Sequence, residues 1–323
     1  MPVKKKLNIK FLDFEPYFPQ RQHMLWELIS RHYEICETDK PDYLLDRGVS
    51  LRYHQYVDCI KILFVNENMV PDFNSFDYAV GFDHLSFGDR YLRHPLFARY
   101  ASFKRLAERK MPSDAELLNR KFCSFVVSNA NMCNPIRKKF FDALSRYRKV
   151  DSGGRYMNNI GGPVKDKVDF CRGYKFNIAF ENSASPGYTT EKIMEAYVAE
   201  SVPIYYGNPT VETDFRLESM VRVRDESDIE RAVEEVIRLD RDDAAYLAKC
   251  RERCFAVSDP HIYEKELEEF LAHIFEQPLD KSCRRNRYGY QAMMQEHLKK
   301  VMWADLKFCA LRDRLKRMHV FGR

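Results

Sequence analysis

Residues 180–209 read FENSASPGYTTEKIMEAYVAESVPIYYGNP. An apolar run ends at Phe180, and a polar loop carrying Asn182 and Tyr188 leads into a helix-like stretch opened by Glu191 and Lys192. A second unit of this kind ends in NPIRKK and puts Arg137 in the first turn of its helix. A cation there opposes the helix dipole by some tenths of a kcal/mol up to about 1 kcal/mol, and a bound anion reverses that sign. Two helix starts with their backbone N–H groups, one guanidinium and one ammonium together suit a diphosphate. Glu191, beside Lys192, is placed to accept hydrogen bonds from two neighbouring sugar hydroxyls, as acidic residues do with ribose in dinucleotide folds. The pattern therefore suggests a nucleoside diphosphate, with Glu191 on ribose, Lys192 on phosphate, and Asn182 and Tyr188 against whatever the diphosphate carries. Glu67 in LFVNENMVP follows directly on a buried-strand run, at a carboxyl edge, where a carboxylate can take a proton from an attacking hydroxyl.

Each of these residues also has a plainer reading. A glutamate in a first helical turn is favoured by the dipole in any case, and exposed lysines and arginines there are common. Glu67 has the plainer reading of a solvated loop acid, which its position alone does not displace. No glycine fingerprint of G-x-G-x-x-G or Walker type accompanies the loop, and the glycine pairs at 153–154 and 161–162 suit turns. Spacing alone leaves both readings open.

The elements that must position these residues alternate. LNIKFLDF, DYLL, CIKILFV and YAVGFD read as strands, with a helix over HMLWELISRHYEI. After a charged stretch at 101–121 the alternation restarts with the strand FCSFVVSN. In NPIRKKFFDALSRY, Asn134 is the candidate N-cap and Pro135 the first helical residue. YKFNIAFEN, the helix after Thr190 and VPIYYG then form a βαβ unit. Strands spaced by helices imply parallel sheets, and ligands of such sheets bind at the carboxyl ends of the strands. The expectation is an α/β chain of two Rossmann-like domains, 1–115 and 116–279, facing a cleft, followed by a helical tail over 280–323.

Composition narrows the function classes. Apolar residues make up 45% of the 323 and aromatics 14%, enough for a packed core. Nothing approaches the roughly 18 consecutive apolar residues of a membrane-spanning helix. MPVKKKLNIKFLDFEPYF alternates and turns acidic too early for a signal peptide. The nine cysteines are scattered; only Cys250 and Cys254 lie a helical turn apart, so reduced thiols are expected rather than zinc. Of the net charge of +5, the tail holds +8 (twelve Lys/Arg against four Asp/Glu), leaving the body at −3. A mildly acidic body has no continuous basic stripe for nucleic acid. In the tail, Val301, Ala304, Phe308, Leu311, Leu315 and Met318 fall on a heptad pattern with Lys and Arg between them. Such a helix suits an anionic membrane surface, or packing on the body or on a second subunit as a homo-oligomer.

The loop stretch YKFNIAFENSASPGYTTEKIMEAYVAESVPIYYGNP resembles the donor-binding signature of glycosyltransferase family 10, the α1,3/4-fucosyltransferases, in their bacterial branch. ILFVNENMVPDFNSFDYAVGFDHLSFGDRYLRHPLF is similar to the acceptor-domain core of that branch, and FCSFVVSNANMCNPIRKKFFDALSRYRKVDSGG to the start of its donor domain. The resemblance covers about residues 60–275 in long, ordered blocks. It implies the glycosyltransferase B fold and transfer of L-fucose from GDP-fucose, with inversion, to N-acetylglucosamine or glucose of lactosamine- or lactose-type acceptors, as in Lewis-type glycans. By the same resemblance Glu67 is the catalytic base, Arg137 and Lys192 bind the diphosphate, Glu191 binds the ribose, and Asn182 and Tyr188 lie against the fucose. No Asp-x-Asp pair of the metal-dependent type is present, so no obligatory metal or other cofactor is expected. The location implied is cytoplasmic, peripheral on the inner face of the membrane where the tail binds lipid.

The sequence also departs from its relatives. Where they carry Gly-Tyr-Gly-Tyr-Val, this chain has Ser185-Pro186-Gly187-Tyr188-Thr189, and Tyr206 replaces their tryptophan. Glu15-Pro16-Tyr17-Phe18 stands where some relatives have paired tryptophans, which bears on the choice of acceptor. The alternatives are another GDP-sugar transferase of the same fold, or a non-catalytic membrane- or nucleic-acid-binding protein with a basic tail.

Overall fold

The computed structural model describes residues 3–14, 23–107, 110–128 and 134–320. Glu15-Pro16-Tyr17-Phe18 thus lies outside the described residues. The chain divides into two units: Met1–Gly81, Leu85–His94 and Glu264–Arg323 form the first, and Phe82–His84 with Pro95–Tyr263 the second.

Among the described residues the first unit holds β1 (Lys5–Leu12), β2 (Tyr33–Glu37), β3 (Tyr43–Asp46), β4 (Ile60–Phe64), β5 (Tyr78–Gly81) and β6 (Tyr91–Arg93). They pair in the order β2-β1-β3-β4-β5-β6, and every pairing is parallel. One face of β1 sends Leu7, Ile9 and Phe11 into a core shared with Ile62, Phe64 and Leu28 of the helix Met24–His32. The strand β2 begins at Tyr33 with no intervening loop, where the sequence pattern carries the helix on through HYEI; pairing with β1 from Lys5↔Tyr33 onward overrides the helical grouping.

The second unit holds β7 (Lys121–Phe125), β8 (Val150–Ser152), β9 (Tyr174–Phe180), β10 (Val202–Tyr206) and β11 (Val221–Arg222), ordered β11-β10-β9-β7-β8 and again all parallel. All seven residues of β9 are buried, as a central parallel strand covered on both faces requires. Its polar members are satisfied: the Asn177 amide donates to Ser124 Oγ at 2.8 Å, and the Lys175 ammonium lies 5.1 Å from the centre of the Tyr246 ring. Counted within each unit, the first sheet winds 2-1-3-4-5-6 and the second 2-1-3-4-5, and in both the order reverses between the first and third strands. In the second unit that reversal lies between β7 and β9, and it is where doubly wound sheets take their ligands.

The units are drawn differently from the sequence reading. Phe97, Phe103 and Leu106 pack with Tyr197, Phe215 and Phe255, so the second unit begins at Pro95 and not near residue 116. Leu267, Leu271, Ile274 and Phe275 of the helix Ile262–Glu276 pack into the core of the first unit, and the chain after them stays with that unit. The tail is one long helix, Gly289–Val320. Its first turns are tied down by Gln291 donating to the Asn74 carbonyl at 2.8 Å and Gln295 to Ser75 Oγ at 3.1 Å. Further along, Val301, Trp303, Phe308 and Leu311 are exposed while Met302 is buried. The side chains of Leu315 and Met318 lie outside the described residues. No helix among the described residues is long and apolar enough to cross a membrane.

Candidate active site

Arg137 is the second residue of the helix Ile136–Ser145, which follows β7. The N-cap of this helix is Pro135, one residue later than expected, and Asn134 Oδ1 accepts from the Ile136 amide at 3.0 Å from just before it. Arg137 is 2% exposed, and its Nη2 donates to the Phe180 carbonyl at 2.6 Å and to Asn182 Oδ1 at 2.7 Å. The Asn134 amide nitrogen donates to the Asn182 carbonyl at 3.0 Å. One guanidinium thus ties the helix after β7 to the carboxyl end of β9 at the reversal point. Asn182 itself is exposed.

Lys192 is the second residue of the helix Glu191–Val198, whose N-cap is Thr190. Ile193, Met194 and Tyr197 bury the inner face of this helix, so its register, and with it the outward turn carrying Glu191 and Lys192, is fixed by packing. The Lys192 ammonium donates to Glu181 Oε2 at 2.8 Å and to Thr190 Oγ1 at 2.7 Å, and lies 3.4 Å from Glu191 Oε1. Glu181 is fully buried at the end of β9 and also accepts from the Thr190 amide at 2.7 Å. Burial works against the charge of Lys192, but the Glu181 and Glu191 carboxylates outweigh it and hold its pKa above the ordinary lysine value. Burial likewise works against the Glu191 carboxylate, yet Lys192 and then Lys167 hold its pKa below the usual range. Lys192 and Glu191 therefore keep their charges through neutral pH.

Tyr188 is buried and packs edge-on against Phe82 with ring centres 5.3 Å apart. The loop before it depends on Gly187, at φ +79°, where an added Cβ would meet the Phe82 carbonyl oxygen at 2.2 Å. Asn208 Oδ1 accepts from the Gly187 amide at 2.8 Å and fixes the turn. Glu67 belongs to the first unit, exposed, just past the carboxyl end of β4.

The structure thus gathers Arg137 with Asn182, and Lys192 with Glu191, at two neighbouring strand ends of one sheet. It adds residues that sequence reasoning missed. Glu181 is the chief one; its signal was a carboxylate closing an apolar strand. Tyr206 on β10 is another: its hydroxyl accepts from Asn134 Nδ2 at 2.9 Å, so the residue standing in for tryptophan braces the helix start that carries Arg137. Tyr100 ends the 3-10 turn Leu96–Arg99, whose Phe97 amide donates to the Thr189 carbonyl at 3.0 Å. Burial, and then the Glu191 carboxylate, raise the pKa of the Tyr100 phenol, which marks it as a neighbour of the cluster. Among the described residues no three His, Cys, Asp or Glu side chains converge on a metal-sized site.

Comparison with known proteins identifies the family. A model of the α-(1,3)-fucosyltransferase FucT N-terminal domain matches residues 9–100, and the model of the glycosyltransferase family 10 (fucosyltransferase) C-terminal region matches residues 118–270. An α-(1,3)-fucosyltransferase FucT of Helicobacter pylori is 34% identical over 267 residues, which are 70% of this chain and 55% of that protein. The chain spans about half the length of the curated relatives it matches. A crystal structure of an α1,3-fucosyltransferase with GDP-fucose superposes with a TM-score of 0.75 at 29% identity, over 88% of this chain and 94% of that one. A structure of an α1,3-fucosyltransferase with GDP gives 0.73 at 30% identity, over 85% and 92%. The fold is therefore the α/β glycosyltransferase B type that the sequence implied. With both family models falling on the two parallel sheets, and the second covering the strand ends that carry Arg137, Asn182, Glu191 and Lys192, the chain belongs to glycosyltransferase family 10, the fucosyltransferases.

Proposed function

We propose that this chain is an inverting α1,3-fucosyltransferase that moves L-fucose from GDP-fucose to the N-acetylglucosamine or glucose of lactosamine- or lactose-type acceptors. The observation that carries this reading is the placement of Arg137 and Lys192 after two adjacent parallel strands, β7 and β9, at the point where the sheet order reverses. Relatives solved with GDP-fucose and with GDP share the fold and support the choice of donor.

In this reading the acceptor hydroxyl attacks the anomeric carbon from the side opposite the diphosphate. Its proton passes to the Glu67 carboxylate, the new C–O bond forms, and the bond from the anomeric carbon to the diphosphate oxygen breaks. Negative charge grows on the leaving GDP, where Arg137, Lys192 and the N–H groups of two helix starts meet it. These groups are held in place before the reaction by Phe180, Asn182, Glu181 and Thr190, so little reorganisation opposes the step. Glu191 takes the ribose hydroxyls, and Asn182 and Tyr188 take the fucose. No metal is required, because two fixed cations stand where a metal otherwise balances the diphosphate.

We further place the protein in the cytoplasm, on the inner face of the membrane. The support is the +8 of residues 280–323 and the exposed Val301, Trp303, Phe308 and Leu311 on its last helix. Co-sedimentation with vesicles containing anionic lipid, lost in 1 M salt, tests it; equal binding to neutral vesicles refutes it. The deciding test of activity is a donor panel of GDP-fucose, GDP-mannose and UDP-galactose with lactosamine. Turnover with GDP-fucose is expected, and turnover only with another donor overturns the assignment.

A further inference from the structure

Lys61 sits in the middle of β4, a strand buried along its whole length, and is 1% exposed. Among the described residues its ammonium has no hydrogen-bond acceptor; its nearest recorded company is the face of Tyr53, 5.6 Å from the ring centre. A buried ammonium left so is unfavourable, because nothing replaces its hydration. The carboxylate that could answer it is engaged elsewhere. Asp77 Oδ2 accepts from the Lys61 backbone amide and from Arg285 Nε, each at 2.8 Å, and Oδ1 accepts from the amides of Arg284 and Arg285, each at 2.9 Å. Asp46, the other nearby acid, accepts from the Gly48 amide at Oδ1 at 2.5 Å, and no hydrogen bond joins its buried Oδ2 to Lys61.

Lys61 lines a small, partly open cavity of about 130 Å³. The cavity lies within the first unit, between the 3-10 turn Arg52–Gln55, the strand β4 and the start of the helix Gly289–Val320. Its wall includes the Arg287 guanidinium and residues bonded to one another: Gln295 donates to the Asn74 carbonyl and Ser75 Oγ, its amide oxygen pairs with His54 Nδ1 at 3.2 Å, and Arg285 donates to Asp77 and the Cys59 carbonyl. Two carboxylates, Asp58 and Glu296, also border it, and both belong to exposed residues at the rim. The volume is well below the ~300–1,000 Å³ of pockets that hold larger ligands, so a nucleotide does not fit.

We propose that this cavity is a binding site for a small free oxyanion of the phosphate class, held by Lys61 from the floor and by Arg287 from the wall. The ion supplies the acceptor that Lys61 lacks. Burial, and then the neighbouring Arg285 guanidinium, pull the Lys61 pKa down to about 7, with Asp77 and Asp46 pulling the other way, so an anion there favours the charged lysine. Because Ala292 and Gln295 of the last long helix roof the cavity, the bound ion also clasps the first turns of that helix to the sheet. The site is separate from the diphosphate residues, and nothing in the proposal depends on which sugar the enzyme transfers.

The test is a calorimetric titration of the full chain with inorganic phosphate, after saturation with GDP to fill the donor site. One saturable site is expected. Lys61→Met should weaken it at least tenfold, and Arg287→Gln several-fold. Ala292→Phe fills the cavity from the helix side without touching Lys61, and keeps the test alive if Lys61→Met does not fold; it should abolish binding. Phosphate should also slow protease cleavage after residue 289 in the unaltered chain and not in Ala292→Phe. Absence of a saturable site, or binding of equal strength in Ala292→Phe, overturns the proposal. If GDP itself fails to bind, the donor reading fails while the phosphate result on Ala292→Phe still decides this one.

Discussion

Lys192→Ala tests the donor site most directly, because the structure says what the substitution leaves behind. The ammonium is 2.8 Å from Glu181 Oε2, with the lysine side chain 16% exposed and the glutamate fully buried. Losing a charge-assisted hydrogen bond to a diphosphate costs about 1.5–3 kcal/mol, which is a GDP dissociation constant ~10–150-fold higher. The truncation also strands the Glu181 carboxylate, whose remaining recorded partners are the Thr190 amide and hydroxyl. Breaking a buried pair in this way costs about 3–5 kcal/mol of stability, and the stranded negative charge then faces an anionic ligand. The double variant Glu181→Gln, Lys192→Ala separates the two effects. Its amide keeps an acceptor for Thr190 and removes the orphan charge. Stability by urea titration should return most of the way to that of the unaltered chain, while GDP affinity by calorimetry should improve on the single variant and still fall short. Unchanged GDP affinity in Lys192→Ala refutes the diphosphate role; a double variant no better than the single one in both measurements refutes the neutralising role of Glu181.

Other outcomes are fixed by single residues. Glu67→Gln should lower kcat by about 10²–10⁴-fold with GDP-fucose affinity unchanged, and a loss confined to donor affinity removes it as the base. Transfer should persist in excess EDTA; abolition that manganese restores overturns the metal-free mechanism. Gly187→Ala forces a side chain into φ +79° and against the Phe82 carbonyl, so the melting temperature should drop by more than a ~1 kcal/mol effect would give, and an unaltered melt refutes the need for glycine there. Burial raises the Asp46 carboxyl to about 7. The folded state then holds a proton that the unfolded state releases near pH 4, so this group's contribution to stability falls as pH rises from about 4 to about 7, by at most ~4 kcal/mol. Asp46→Asn should flatten that limb of a stability-against-pH curve; identical curves for the two proteins would falsify the assignment.

Much of the fold was legible because central parallel strands announce themselves. β4, β7, β9 and β10 are runs in which burial leaves few polar positions, β1 alternates Leu7, Ile9 and Phe11 with polar neighbours, and the helices between them keep an apolar face. The strands that were not legible are short or at edges. β6 covers Tyr91–Arg93, with every residue only partly buried, and β8 covers Val150–Ser152 inside a glycine-rich loop. Pairing with a neighbour, rather than any pattern of their own, makes them strands. The unit boundary moved for a similar reason: the aromatic contacts of Phe97 and Phe103 join residues far apart in the chain.

The candidate site was legible as charges but not as bonds. Lys192 and Arg137 were conspicuous because a cation in a first helical turn opposes the dipole, and a bound anion was the offered remedy. The structure supplies a second remedy within the protein. Glu181 reaches Lys192 across eleven positions of sequence, and Asn182 reaches Arg137 across forty-five, and neither distance is visible in a linear pattern. The dipole mismatch is therefore offset before any ligand arrives, and on its own it no longer argues for one. What argues for a ligand is geometry. An ammonium has three N–H donors. Glu181 and Thr190 take two of them, and in doing so they aim Lys192 from the end of β9, on the strand beside the one that leads to Arg137. The carboxylate that neutralises the lysine is thus also what orients it, and the substitution Glu181→Gln alone should keep Lys192 charged while loosening its aim, so that kcat for transfer suffers more than the affinity for GDP.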